Sequence, residues 1–381
     1  MTAPAFPILV YDTQATSVLR GDLSPLVYQL RISTTLPGGC GTCSFRLRAP
    51  TNVVPDYLNF NYEVRLGDRG EIFWSGRMED IIAHRGEDGE YWDVTAYGYG
   101  VNLEDQVYTS QDVSNTVTST VALNALTQAP QIDASTLTAS GFTISAATAV
   151  NLKLLTMAQV VNWAAHFGLV TSFTPYVWYV YPDADGTVRF TFDTRPTAAA
   201  YLMRSTDCEL VEFGLIGRRL ANRVVAQYND GAANVTVNDT ALQAAGPDGW
   251  NLIRTLREFV PEVTQSADAT QVANALLTKY KRKTMAARTI RLRRGAFLLD
   301  SNTIPVEPWR VRAGSLAQFI DVDPSEGTGL TFTNSFLIQE TEWDQDAQSL
   351  RIVPEHRDLT PNDAFAQLFS VLGGRHTMQA R

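Results

Sequence analysis

The residues best equipped for chemistry are few and scattered. Cys40-Gly41-Thr42-Cys43 has the spacing of half a zinc knuckle or of a redox pair. A tetrahedral site needs further ligands, yet Cys208 stands alone and His84, His166, His356 and His376 are dispersed. Pro37-Gly38-Gly39 precedes the pair and Ser44 to Arg48 follows it. The stretch therefore reads as a turn leading into a strand, with an opportunistic disulfide or metal site as the alternative.

Acidic pairs are the next candidates, as general acid and base or as cation ligands. They are Glu79 with Asp80, Glu87 with Asp88, Glu340 with Glu342, and Asp344 with Asp346. Adjacent residues on a strand point to opposite faces, which separates Glu79 from Asp80, whereas Glu340 and Glu342 share a face. Asp321-Val322-Asp323 lacks the glycine and closing glutamate of a calcium loop. The chain carries no G-x-S-x-G, H-E-x-x-H or Walker A motif. Ala96-Tyr97-Gly98-Tyr99-Gly100 lacks the third glycine of a dinucleotide loop. Solvated acidic faces are the simpler reading, and the expectation is a protein that is not an enzyme and has neither metal nor cofactor.

One basic run stands out. Lys279, Lys281, Arg282, Lys283, Arg288, Arg291, Arg293 and Arg294 fall together, with no acid from Ala269 to Leu299, in a chain of net charge −9. A helix C-terminus followed by a solvated strand face accounts for it. The alternatives are a docking patch for an acidic neighbouring subunit and a phosphate or nucleic-acid surface. The overall acidity, with a pI near 5.0, disfavours nucleic-acid binding by the whole surface.

The elements that must carry these groups are mostly strands. The 381 residues are 45% apolar and 10% aromatic, a globular composition long enough for several domains. No window reaches the ~18 apolar residues of a membrane helix. The N-terminus lacks the basic start and apolar run of a signal peptide, which implies assembly in a cytoplasm.

The organising unit runs from Asn59 to Asp105. Tyr62, Val64 and Leu66 alternate with Glu63 and Arg65, a half-buried strand pattern ending at the turn Gly67 to Gly70. Phe73-Trp74 opens a second strand through Gly76 to Ile82. After the turn Arg85 to Gly89, Trp92, Val94 and Ala96 alternate as a third. The pattern is an antiparallel meander with one apolar and one polar face. A second copy is expected near the other end. Trp309 to Gly314 echoes Tyr62 to Gly67, so Val311, Arg312 and Gly314 repeat Val64, Arg65 and Gly67. Phe319 to Val322 follows as a strand, Phe336 to Trp343 parallels Gly76 to Ile81, and Leu350 to Val353 closes the copy where Trp92 to Ala96 closed the first.

In chain order, the expected units are a first tube-like β domain over 1–108 and a small α/β domain over 109–205. The second β domain takes 206–259 and 290–357, split by a helical insert over 260–289, and 358–381 is a C-terminal tail. Ser114 or Asn115 would cap one helix, Thr156 a second that Gly168 closes, and Ser266 a third. Asn222 to Tyr228 opens the second β domain. The fold class is mainly β with α+β parts: two related β-barrel or sandwich domains, a small α/β domain and a helical insert.

Tyr62 to Gly67, Phe73 to Glu79, Trp92 to Gly98, Asn222 to Tyr228 and Trp309 to Gly314, in that order, resemble the hub proteins of phage tail tips and baseplates. These are related to the hubs of contractile tails and type VI secretion spikes. The resemblance spans roughly 1–357. It implies a homotrimer whose six β domains form a ring, adapting the hexameric tail tube to a central spike or fibre around the DNA channel. The partners implied are the tail tube, the distal tail protein, the tape-measure protein C-terminus and the spike or fibre. DNA would pass through the lumen without specific binding. The location implied is the virion, as a minor tail protein, and such hubs are structural proteins without catalytic residues. The alternatives are the hub of a contractile, type VI-like injection machine and, from another class, a glycan-binding or glycan-processing β-protein.

Overall fold

The computed structural model describes residues 6–12, 18–87, 89–109, 117–126, 132, 155–172, 176–214, 220–229, 231–246, 249–260, 265–281, 284–327 and 330–355. Asp88, the proposed caps Ser114 and Asn115, the segment 133–150, Arg282, Lys283 and the tail 358–381 lie outside them.

The protein is mainly β. Its first strands are β1 (Ile8–Tyr11), β2 (Leu19–Asp22), β3 (Val27–Thr35), β4 (Gly38–Leu47), β5 (Glu63–Asp68), β6 (Glu71–Gly86) and β7 (Gly89–Gly98). Helices α1 (Thr118–Leu126) and α2 (Met157–Ser172) precede β8 (Tyr176–Pro182), β9 (Val188–Thr194), β10 (Tyr201–Met203) and β11 (Cys208–Gly214). Next come β12 (Arg223–Tyr228), β13 (Ala233–Asn238), the short α3 (Thr240–Gln243), β14 (Thr255–Val260) and α4 (Ser266–Tyr280). The last described strands are β15 (Thr284–Leu292), β16 (Leu298–Asp300), β17 (Pro305–Val306), β18 (Leu316–Phe319), β19 (Ser325–Gly327), β20 (Leu330–Phe332), β21 (Ser335–Asp344) and β22 (Ser349–Pro354).

Hydrogen-bonded order reveals a duplication. One copy runs β3-β4-β7-β6-β5-β1, antiparallel throughout. The other runs β11-β15-β22-β21-β18-β10, antiparallel except for the last pair. The register agrees as well as the order. A bulge between Met78 and Asp80 on β6 has its counterpart between Ile338 and Glu340 on β21. With the bulges aligned, Gly76 to Ile81 falls on Phe336 to Thr341, and Trp92 to Thr95 falls on Leu350 to Val353, which trims the sequence parallels of Phe336–Trp343 and Trp92–Ala96.

The Val-Arg-x-Gly echo does not fall into register. Asn61 N–H donates to Met78 O, and Met78 N–H to Tyr62 O; Gly314 N–H donates to Ile338 O, and Ile338 N–H to Ser315 O. Asn61 and Gly314 both have positive φ, +67° and +87°. Gly314 therefore corresponds to Asn61. Ala317-Gln318-Phe319, rather than Val311-Arg312-Ala313, corresponds to Val64-Arg65-Leu66. The second copy enters its strand through a 3-10 turn at Pro308–Arg310, which carries the echo six residues upstream. The expected strand Phe319 to Val322 is correspondingly Leu316–Phe319.

Among the described residues, two hydrophobic cores result. Both β copies share one, in which Phe6 lies 5.5 Å from Trp309 and 5.8 Å from Trp343 between ring centroids. The other gathers α1, α2, α4, the β8–β9 hairpin and the sheet β13-β12-β14. Asn222 to Tyr228 thus does not open the second copy. Its strand β12 pairs antiparallel with β13 and parallel with β14, so residues between β11 and β15 form an α+β insert rather than a helical one. Val272, Ala273, Leu276 and Leu277 seal α4 onto that sheet.

Local signals for the helices are partly realised. Thr156 and Gln159 cap α2 reciprocally, side chain to backbone in both directions. The helix passes through Gly168 to Ser172 instead of stopping there. An interior glycine costs ~1 kcal/mol, which the buried Val160, Val161 and Ala164 face outweighs. Helix α4 starts at Ser266, with Gln265 at the cap position.

Candidate assembly interface

The two copies meet edge to edge. Strand β3 of the first pairs antiparallel with β21 of the second, Arg31 opposite Asp344 and Thr35 opposite Glu340. This pairing continues the sheet without a break. Leu36 N–H donates to Gln339 O at one end, and Gln345 N–H to Leu30 O at the other. In the middle, the Thr34 and Thr341 hydroxyls lie 2.6 Å apart and are buried. Thr34 Oγ1 also accepts from Ala313 N–H at 2.9 Å.

Val311 to Gly314 closes this seam from above. The Tyr181 hydroxyl donates to Ala313 O at 2.9 Å, and the Arg312 guanidinium lies 4.8 Å from the Tyr181 ring centre. Burial pushes the Tyr181 phenol well above its ordinary pKa, so it stays a neutral donor. A side chain at Gly314 would press on the Tyr179 ring, and its positive φ disfavours any other residue. The residues whose sequence echoes Val64, Arg65 and Gly67 thus fasten the second copy to the first.

Sequence reasoning missed the polar centre of the first copy. Glu63 was expected on a solvent face but is fully buried, 2.8 Å from Arg65 Nη2. Arg65 lies 4.3 Å over the Tyr11 ring, and the β8–β9 turn at Gly186 covers it. Burial raises the Glu63 carboxyl above its ordinary pKa, and Arg65 and Tyr99 partly oppose the shift. Trp74 is fully buried beneath, its ring over Gly76, while Trp92 donates to Pro50 O at 3.2 Å. Gly76 faces Gly98 across the strands because a Cβ there would strike Tyr97 O. The one cue in the sequence was an acid and a base two residues apart on the same strand face.

The groups with chemical potential are absorbed structurally. Cys40, Cys43 and Cys208 are free and buried, and burial pushes the Cys40 thiol up to about 12 and Cys208 to about 11. Such thiols are poor nucleophiles and poor metal ligands at neutral pH. Glu340 and Glu342 do share a face, and both take Arg351 Nη1, at 3.3 and 3.5 Å. Glu79 pairs with Arg77 at 2.7 Å, and Asp344 accepts the N–H groups of Asp346 and Ala347. No group of three His, Cys, Asp or Glu placed to hold a metal occurs among the described residues.

The basic run is divided between two units. Lys279 falls on α4, and Lys281 binds Asp239 at 3.2 Å in the insert. Arg288 and Arg291 are exposed on β15 beside β11. Arg293 donates to Cys208 O, and Arg294 to Gln348. The open face of β12–β14 forms a shallow polar groove with Arg223 and Arg257 at its sides.

The duplicated β copies, the edge-to-edge seam and the α+β insert together make the fold of phage tail proteins. Solved structures share it, among them three tail proteins. Over 92% of this chain, the 43 kDa tail protein of prophage MuSo2 from Shewanella oneidensis matches along 98% of its own, at 13% identity and TM-score 0.56. A tail protein from Neisseria meningitidis MC58 matches 95% of this chain and 99% of its own, at 13% identity and TM-score 0.58. Prophage tail protein gp18 from Listeria monocytogenes EGD-e matches 96% and 99%, at 12% identity and TM-score 0.56. No family model and no curated protein matches the chain.

Proposed function

We propose that this chain is the structural hub of a phage tail tip or baseplate. Three copies form a ring of six β domains that adapts a hexameric tail tube to a central spike or fibre. The observation that carries this reading is the seam: one chain already holds two equivalent β copies joined strand to strand. A threefold assembly of such chains offers six near-equivalent positions to a sixfold partner. The tail-protein fold over nearly the whole chain supports the same reading.

In this role the protein is a virion component whose neighbours are the tail tube, the distal tail protein, the tape-measure C-terminus and the spike or fibre. Its work is positional rather than catalytic. The acidic balance suits a channel through which DNA slides, because like charge keeps the backbone from adhering. Native mass spectrometry of the purified chain tests the proposal. A trimer is expected, and a chain that stays monomeric at every concentration counts against it.

A further inference from the structure

The seam within one chain specifies a second seam between chains. In the internal join, the outer edge of β3 meets the outer edge of β21. The counterpart of β3 in the second copy is β11, and the counterpart of β21 in the first copy is β6. Among the described residues, no strand pairs with the outer edge of β11 or with that of β6 from Asp80 to Gly86. Open backbone edges of this kind template the addition of another strand.

We infer that the outer edge of β11 pairs antiparallel with the Asp80–Gly86 edge of β6 in a second copy of this chain. This deepens the hub reading and rests on it. The register follows from the aligned copies. Phe45 stands opposite Val94 as Ile290 stands opposite Ile352, so Ser44 matches Thr289. Ser44 pairs with Arg31, and Thr289 pairs with Glu212. Across the join, Arg31 faces Asp344, whose counterpart is His84. Glu212 therefore faces His84, so a carboxylate stands opposite an imidazole at the position where Arg31 stands opposite Asp344. Each strand next to the join also carries an apolar side chain in water: Ile82 is 56% exposed on β6 and Leu210 is 39% exposed on β11. Their counterparts at the internal join are Glu342 and Tyr28. Pairing the two open edges brings Ile82 and Leu210 to one seam. It also places the exposed Arg288 and Arg291 of β15 alongside that seam.

Cysteine trapping tests the register directly. The full chain carrying both Glu212→Cys and His84→Cys is oxidised mildly and run on a denaturing, non-reducing gel. The native thiols are buried, so background cross-linking is low. The expected result is a covalent trimer from the double variant and monomers from either single variant. Glu212→Cys with Arg85→Cys, one residue out of register and on the opposite face, is expected to cross-link far less. Native mass spectrometry of the unsubstituted chain separates the two claims. A trimer whose double variant fails to cross-link overturns this edge pairing and leaves the hub standing. A chain that neither trimerises nor cross-links overturns both. A covalent ladder extending past three keeps the pairing and overturns the closed hub.

Discussion

The two β copies share a hydrogen-bonded frame and differ in how they fill it. In the first, Trp74 is large and Gly76 is small, and the indole lies over the glycine. At the matching positions of the second, Asn334 is small and Phe336 is large. Asn334 spends its amide on the carbonyls of Phe319 and Val322 instead of filling volume. A large–small exchange across neighbouring positions conserves core volume, the kind of change that packed interiors tolerate best. The bulge, by contrast, is unchanged in both copies, because it bends the strand and sets which edge faces outward. Glu63 and Arg65 likewise match Leu316 and Gln318. The ion pair exists only where the β8–β9 turn roofs the strand, with Ile72 N–H bonded to Ala184 O. Duplication preserved the backbone contacts and let the side chains diverge.

Breaking the first copy's filling has the largest expected effect. Trp74→Ala removes a fully buried indole and is expected to cost ~3–5 kcal/mol in denaturant unfolding. Asn334→Ala, at the matching position, is expected to cost only ~1–3 kcal/mol, through the two carbonyls it leaves unbonded. Equal costs would mean that the two copies are filled alike after all. Glu63→Ala comes next, at ~3 kcal/mol, because it strands the Arg65 guanidinium in a nearly dry site. The pH dependence of Glu63→Gln has a definite sign. Burial raises the folded carboxyl above its ordinary value of 4.5, so the folded chain holds a proton that the unfolded chain has released. That contribution is complete below the ordinary value and is lost as pH rises through the raised one. The unsubstituted protein should therefore lose stability relative to Glu63→Gln as pH rises above the ordinary value of 4.5. An advantage that grows over this range would show that the ion pair outweighs the burial.

Much of this frame could be read from the sequence, and the failures have physical causes. The meander from Tyr62 to Ala96 was legible because its alternation and turns are local; Arg69 and Gly70 both take positive φ, as a two-residue hairpin requires. The likeness of Gly76–Ile81 to the stretch from Phe336 to Trp343 was legible, but its register was fixed only by the shared bulge. The alternation misled at Glu63, because a polar strand face normally meets water and only a distant hairpin covers it here. The Val311–Gly314 echo misled because four matching residues carry no register by themselves. Strand β12 was misassigned because its parallel partner β14 lies across α3, and such long-range pairing leaves no periodic trace. The seam itself was invisible to sequence reasoning: Thr34 and Thr341 are 307 positions apart, and neither belongs to a motif.

The smallest effects belong to the seam, and they divide it into a buried centre and a wet rim. Thr34→Val keeps the shape but removes an oxygen that meets the Thr341 hydroxyl and the Ala313 N–H. It is expected to cost ~1–3 kcal/mol, since the abandoned groups stay buried. Arg31→Ala removes the contact to Asp344 at 2.9 Å, but the arginine side chain is 62% exposed. Water and salt screen such a pair, so its coupling in a double-mutant cycle with Asp344→Ala should fall below ~1 kcal/mol. If Arg31 proved the costlier substitution, charge rather than backbone pairing would hold the copies together. The proposed Glu212–His84 pairing between chains would then be the next contact to test by a double-mutant cycle.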